Sequence, residues 1–273
     1  MVFEKVLRAF GVGGPAVETV LATPDAYPGG ELLGVARLTG GEYDVAIETL
    51  AVGLVTRVEA EDGDALVEFH RAWVAAGFTL AAGEHQDIPF SITLPWETPL
   101  THAYGKKLSG MSLGLRTELT VEKAVDNGDV NVVAVRPLPA QEAVLAAIER
   151  LGFHFRHADV ERGAIFGVRQ ELPFYQEIEF TPPQVVAAAM DEMELTFVAD
   201  PEGVEVILEL EKHGGLWHRA EDRYARLRLS HLEVASKDWA LEVESAIRGA
   251  LPAGAPGLPR DGGMHAPSSF NPR

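Results

Sequence analysis

Glu192-Met193-Glu194-Leu195-Thr196-Phe197, followed after a short break by Val204-Glu205-Val206-Ile207-Leu208-Glu209-Leu210-Glu211, is the stretch that decides the fold. Met193, Leu195 and Phe197 fall on one side of an extended chain and Glu192, Glu194 and Thr196 on the other. Val204, Val206, Leu208 and Leu210 repeat the pattern against Glu205, Glu209 and Glu211. Successive side chains of a strand point to opposite faces, so this period of two describes antiparallel strands with one buried and one solvated face.

Outward from this pair the pattern persists. Toward the C-terminus Trp239, Val243 and Ile247 recur at helical spacing and predict a closing helix within Asp238 to Gly249. Toward the N-terminus, Phe174 to Phe180 and Phe153 to Val160 read as strands, and Val144, Leu145, Ile148 and Leu151 as one amphipathic helix stopped by Gly152. Asp126-Asn127-Gly128-Asp129 reads as a polar turn before a strand from Val130 to Val135, and Pro137 and Pro139 then interrupt any ladder.

Between Val17 and Val125 short strands alternate with turns. Tyr27-Pro28-Gly29-Gly30 and Gly40-Gly41 are turns around a strand from Leu32 to Leu38. Val45 and Ile47 alternate in one phase and Leu50, Val52 and Leu54 in the other, which predicts a bulge. Val67, Phe69 and Trp73 form a further stripe, with Glu68 and His70 turned away from it. At the start, Phe3, Val6, Leu7 and Phe10 share one face of a short helix that Gly11 to Pro15 ends. The expected architecture is mostly β: two antiparallel β-sandwich domains, residues 1–128 and 129–250, the second with one or two helices. A Pro/Gly-rich tail, 251–273, has little to bury and reads as disordered.

Composition narrows the function classes. Lys+Arg number 23 against Asp+Glu 41, a formal net charge of -18, so the surface repels phosphate and no basic run opposes that field. Nucleic acid and anionic membranes are therefore not expected partners. There are no cysteines, which excludes disulfides, thiolate metal sites and a cysteine nucleophile and fits the reducing cytoplasm. Glu4, Lys5 and Arg8 interrupt the N-terminal apolar run, so no secretory signal is expected, and no stretch is long enough for a membrane span.

Motifs for chemistry are sparse. His154 and His157, three apart in a strand, point to opposite faces and do not chelate together. His213 and His218 flank the flexible Gly214-Gly215-Leu216-Trp217 and read as solvated loop residues, so no metal is expected. Leu108-Ser109-Gly110-Met111-Ser112 lacks a nucleophile elbow, and Gly11 to Pro15 lacks the strand and helix of a dinucleotide fingerprint. No catalytic residue and no cofactor is assigned, and the chain reads as non-enzymatic. Trp96 lies between prolines in Leu94-Pro95-Trp96-Glu97-Thr98-Pro99; packing within its domain is its first reading and partner contact its second. Trp96, His213, Trp217, His218 and Arg219 are the candidate interaction residues.

The order of several segments resembles the Spo-zero-M family of arrestin-like bacterial sporulation-control proteins. These are Gly11 to Gly14, Tyr27-Pro28-Gly29-Gly30-Glu31, Ile88 to Pro95, Thr98-Pro99-Leu100-Thr101, Val135-Arg136-Pro137, Glu149-Arg150-Leu151-Gly152-Phe153, Leu172-Pro173-Phe174 with Gln176-Glu177, and Asp191 to Leu195. The similarity runs over about Met1 to Gly249. It implies two arrestin-like β-sandwich domains in a cytoplasmic protein without catalytic residues, regulating sporulation or development through protein contacts, and it transfers no site. The leading expectation is a regulatory adaptor for other proteins. The alternatives are a small-molecule binder or hydrolase with a pocket between sheets or domains, and a homo-oligomeric scaffold, a homodimer being the simplest form.

Overall fold

In the computed structural model of the chain, the described residues are 13–23, 25–59, 63–121, 127–212 and 221–258. The helix expected over Phe3 to Phe10 and the loop from His213 to Arg219 lie outside them. The strands in order are β1 (Ala16–Leu21), β2 (Asp25–Ala26), β3 (Glu31–Thr39), β4 (Val45–Val58), β5 (Ala65–Leu80), β6 (His85–Thr93), β7 (His102–Ala103), β8 (Lys106–Lys107), β9 (Leu113–Val121), β10 (Asn127–Val132) and β11 (Ala134–Val135). Helix α1 (Pro139–Arg150) follows, then β12 (His154–Arg162), β13 (Phe174–Thr181), β14 (Glu192–Ala199), β15 (Gly203–Lys212), β16 (Glu221–Ser230) and helix α2 (Trp239–Ala250). The mostly β, antiparallel architecture expected from the sequence is observed.

The chain divides into two compact units. The first takes the described residues through Leu138 together with Ala158–Glu177 and Val198–Glu202; the second takes Pro139–His157, Ile178–Phe197 and the described residues from Gly203 onward. In the first unit a sheet ordered β1-β3-β6 faces a sheet ordered β10-β9-β4-β5. Leu32, Ala36 and Leu38 of β3, Leu50, Val52 and Leu54 of β4, and Leu113, Leu115 and Leu119 of β9 are buried in its core. Thr19 of β1 and Thr117 of β9 share a buried hydroxyl hydrogen bond of 2.5 Å.

The expected phase change in β4 is a bulge. Ile47 pairs with Val121 and Thr49 with Thr120 of β9, so Glu48 is the extra residue and the buried set moves to the other parity. Beyond the bulge Ala51, Val52, Leu54 and Val55 are all buried, as befits a strand covered on both faces.

Two readings are corrected. Asn127, Gly128 and Asp129 are strand residues and not a turn: they pair with Leu119, Glu118 and Thr117, and the Asp129 carboxylate accepts the Thr19 N–H at 2.8 Å. The chain therefore stays in the first unit across residue 128. The second correction concerns Val67, Phe69 and Trp73, which do not share one stripe. Leu54 pairs with His70 but Val55 with Glu68, and Leu50 pairs with Ala75 but Ala51 with Trp73, so Phe69 and Val74 are extra residues. Each bulge shifts the parity, which leaves Glu68, Arg71 and Trp73 on one outer face and Trp73 68% exposed.

The five-stranded sheet has the order β12-β13-β14-β15-β16. Met193, Leu195, Val204, Val206, Leu208 and Leu210 are buried, opposite the acidic residues that alternate with them. In the second unit α1 and α2 pack against each other and over β15 and β16. Helix α1 buries Val144, Leu145 and Ile148 and ends at Gly152, whose φ of +84° is the left-handed conformation a C-terminal stop requires. Helix α2 buries Trp239, Val243 and Ile247, and the Asp238 side chain caps it by accepting the Ala240 N–H. Past α2, Leu258 is buried, so the start of the tail supplies an apolar anchor.

Candidate functional site

Of the residues selected from sequence, Trp96 is the one the structure describes; His213, Trp217, His218 and Arg219 lie outside the described residues. The Trp96 loop is tied to the Tyr27–Gly30 turn. Leu94 N–H donates to Gly30 C=O at 2.8 Å, Gly30 N–H to Tyr27 C=O at 2.9 Å, and the Thr98 hydroxyl and N–H both donate to Pro95 C=O. Gly29, at φ +71°, has its α-carbon against the indole: a Cβ there would stand 2.5 to 2.7 Å from Cε2, Cδ2 and Cζ2 of Trp96. Three adjacent ring atoms at near-equal distance place Gly29 over the ring face. Trp96 thus packs within its own unit while staying half-buried.

The same indole lines a cleft of about 300 Å³ with Glu97, Arg169, Glu171, Ala199, Asp200, Pro201 and Glu202, all of the first unit. Two loops build its far side. The loop from Gly163 to Pro173 is organised by Gln170, whose side-chain amide donates to the C=O groups of Gly163, Leu172 and Phe174 and whose Oε1 accepts the Ile165 N–H. The other is the Asp200–Glu202 turn, where Asp200 Oδ1 accepts the Glu202 N–H at 2.8 Å. Glu97 ties the near and far sides together, its carboxylate accepting the backbone N–H of Glu171 at 2.7 and 2.9 Å and of Leu172 at 2.8 Å. Burial holds the Glu97 carboxyl above its ordinary range, the two N–H donors oppose this, and the Glu171 charge adds to the rise.

Close by in the first unit, the buried Gln176 clamps Leu100, accepting its N–H at 2.9 Å and donating to its C=O at 2.8 Å. Gln170 carries no signal in the sequence and Gln176 only its place among the segments of the family resemblance, because side-chain amides that replace a backbone partner leave no periodic trace.

Two other charged constructions stand on the first unit. On the outer face of β4, β5 and β9, Arg71 pairs with Glu68 (2.5 Å) and Glu118 (2.7 Å), and Arg116 with Glu118 (2.8 Å) and Glu68 (3.1 Å). The closed square lies over Gly53, where a Cβ would come 2.7 Å from the Glu68 carboxylate. Burial alone would raise the Glu118 carboxyl, but the hydrogen bonds and charges of Arg71 and Arg116 carry it below the ordinary range. The Arg71 guanidinium also lies 5.7 Å from the Trp73 ring centroid, a cation–π arrangement.

The second construction is a set of carboxylates, Asp159, Glu161 and Glu177, each of which offers an oxygen within 4.8 Å of the others. Glu59 joins β12 beside them, donating its N–H to Val160 C=O at 2.7 Å. Burial and the Glu59 charge together raise the Glu161 carboxyl. These oxygens are of the kind a hard divalent cation takes. His154 and His157 both lie on β12.

Packed antiparallel sheets with charged outer faces place the chain among the mostly β sandwich proteins. Within that class it belongs to the SpoOM protein family, whose model matches residues 3–214. It is 32% identical over 257 residues to the sporulation-control protein spo0M of Bacillus subtilis (strain 168), covering 90% of this chain and 96% of that one. It also superposes on the crystal structure of Spo0M, sporulation control protein, from Bacillus subtilis. That match has a TM-score of 0.73 and 30% identity, and covers 86% of this chain and 98% of the other. The resemblance expected from the order of motifs is thereby shown, and with it likeness to a sporulation-control regulator. No helix among the described residues is long and apolar enough to cross a membrane.

Proposed function

We propose that this chain is a non-enzymatic regulatory adaptor that acts in the cytoplasm through contacts with other proteins. The observation that carries the reading is membership of a family described by sporulation control, over nearly the whole chain. Support comes also from what the described side chains do. The residues with the most developed polar geometry, Glu97, Gln170, Gln176 and the Glu68–Arg71–Glu118–Arg116 square, fix loops and sheet faces and do not form a nucleophile–base pair. Charged and aromatic groups held rigidly at a surface select partners by complementary potential.

The test is co-purification of the tagged protein from its own cells after mild cross-linking, with mass spectrometry and a salt-wash series. A reproducible partner set that thins as salt rises is expected. Recovery of the chain alone in repeated preparations would overturn the adaptor reading.

A further inference from the structure

We propose that the cleft beside Trp96 receives a cationic side chain of a partner protein, arginine in preference to lysine. This rests on the reading that the protein acts through protein contacts and gives that reading a chemistry.

The cleft supplies two kinds of attraction for a cation. Glu97, Glu171, Asp200 and Glu202 contribute four carboxylates against the single guanidinium of Arg169, and Trp96 contributes an aromatic wall. A cation near an indole is attracted by the ring quadrupole. A planar guanidinium also stacks on the ring and meets a carboxylate with two parallel N–H groups of its rigid fork, whereas an ammonium, a point charge with three donors, does neither. Size decides between a side chain and a metabolite: about 300 Å³ stands at the lower limit of small-molecule pockets and accommodates one long side chain.

Preorganisation is built in. Glu97 is held by the N–H groups of Glu171 and Leu172, and the loop that carries Arg169 and Glu171 is held by Gln170. The guest therefore does not have to order the host. The chain's net charge of -18 draws a basic partner in and turns a phosphorylated or nucleic-acid one away. Among the described residues the tight convergence of three carboxylates that suits a bare metal ion is at Asp159, Glu161 and Glu177 and not in this cleft.

The experiment is a titration of the ¹⁵N-labelled full-length protein with acetyl-Gly-Arg-Gly-amide, followed by the Trp96 indole N–H signal, assigned by its loss in Trp96→Phe. Counterparts with lysine, with the neutral isostere citrulline, and free L-arginine are run alongside. The arginine peptide is expected to move the Trp96 signal saturably, with lysine several-fold weaker and citrulline at least tenfold weaker. Asp200→Asn is expected to weaken binding about threefold and Arg169→Ala to strengthen it, with unchanged melting temperatures showing that both variants fold. Free L-arginine, whose own carboxylate meets the acidic lining, is expected to bind more weakly than the capped peptide. An unmoved Trp96 signal, equal affinity for citrulline, or indifference to both charge variants would overturn the assignment. Tighter binding of free L-arginine would overturn the partner-protein source. None of these results depends on the co-purification, which tests the adaptor reading separately.

Discussion

Substituting Gly29 by alanine probes the foundation of the Trp96 cleft. Gly29 sits at φ +71°, where a residue with a Cβ pays about 1–2 kcal/mol for the left-handed conformation. Its new methyl would also stand 2.5 Å from Cε2 of Trp96, and forcing a methyl into a packed contact costs roughly 1–3 kcal/mol more. The total expected is about 3 kcal/mol. Gly83 is the internal control: it has φ +67° and nothing within 4 Å of its would-be Cβ, so Gly83→Ala carries only the backbone part, about 1 kcal/mol. At about 2–4 °C per kcal/mol for a chain of this size, the two variants should melt about 6–12 °C and about 2–4 °C below the parent. Urea unfolding at constant slope checks the free energies. In a Trp96→Ala background the cost of Gly29→Ala should fall to the control value, because the atoms the new methyl collides with are gone. A Gly29→Ala variant no worse than Gly83→Ala, or a penalty that survives removal of the indole, would refute the stacking argument.

Further outcomes are expected elsewhere. Gly53→Ala pushes the Glu68 carboxylate out of the square with Arg71 and Arg116 and should cost about 1 kcal/mol in urea unfolding; no loss would show that the square gives way freely. The lowered Glu118 carboxyl contributes stability that is fully present above the ordinary glutamate range and is lost as pH falls through its depressed value. Glu118→Gln should therefore flatten the acid limb of the stability profile, and an unaltered limb counts against the square. Asp238→Ala removes the cap of α2 and should lower stability by about 1 kcal/mol, which Asp238→Asn should largely restore. Glu97, held above its ordinary range by burial, loses its charge as pH drops through that raised value, so affinity for the arginine peptide should fall with it. A pH-independent affinity would separate Glu97 from the site.

What the sequence discloses follows from how locally each feature is encoded. The acidic–apolar alternation from Glu192 to Leu195 and at Val204, Val206, Leu208 and Leu210, the Gly152 stop and the apolar spacing of α2 are written within a few consecutive residues and stand as read. Phe197, by contrast, is only half-buried, and Thr196 and Ile207, on the face read as solvated, are buried. The Glu48 bulge is legible because the phase change falls inside one strand. Phe69 and Val74 are not, since an apolar residue at a bulge looks like any other until its partner strand fixes the register, and Trp73 therefore reads onto the wrong side. Asn127 to Asp129 carries turn chemistry, yet Thr19 supplies a hydrogen bond to Asp129 from 110 positions away. The cleft is assembled the same way. Trp96 stands out by its type, whereas Arg169, Glu171, Asp200 and Glu202 belong to two distant loops and carry no mark that they converge.

Strand β5 runs for 16 residues along the margin of its sheet, with Leu66 and Trp73 toward solvent. A margin of that length is a template on which a foreign strand can grow, the first step toward fibres. The extra residues at Phe69 and Val74 break its row of N–H and C=O groups into short runs that differ in phase, so a regular strand laid against it loses register twice. Removing either residue would straighten the margin, and the property most exposed to such a deletion is solubility at high concentration.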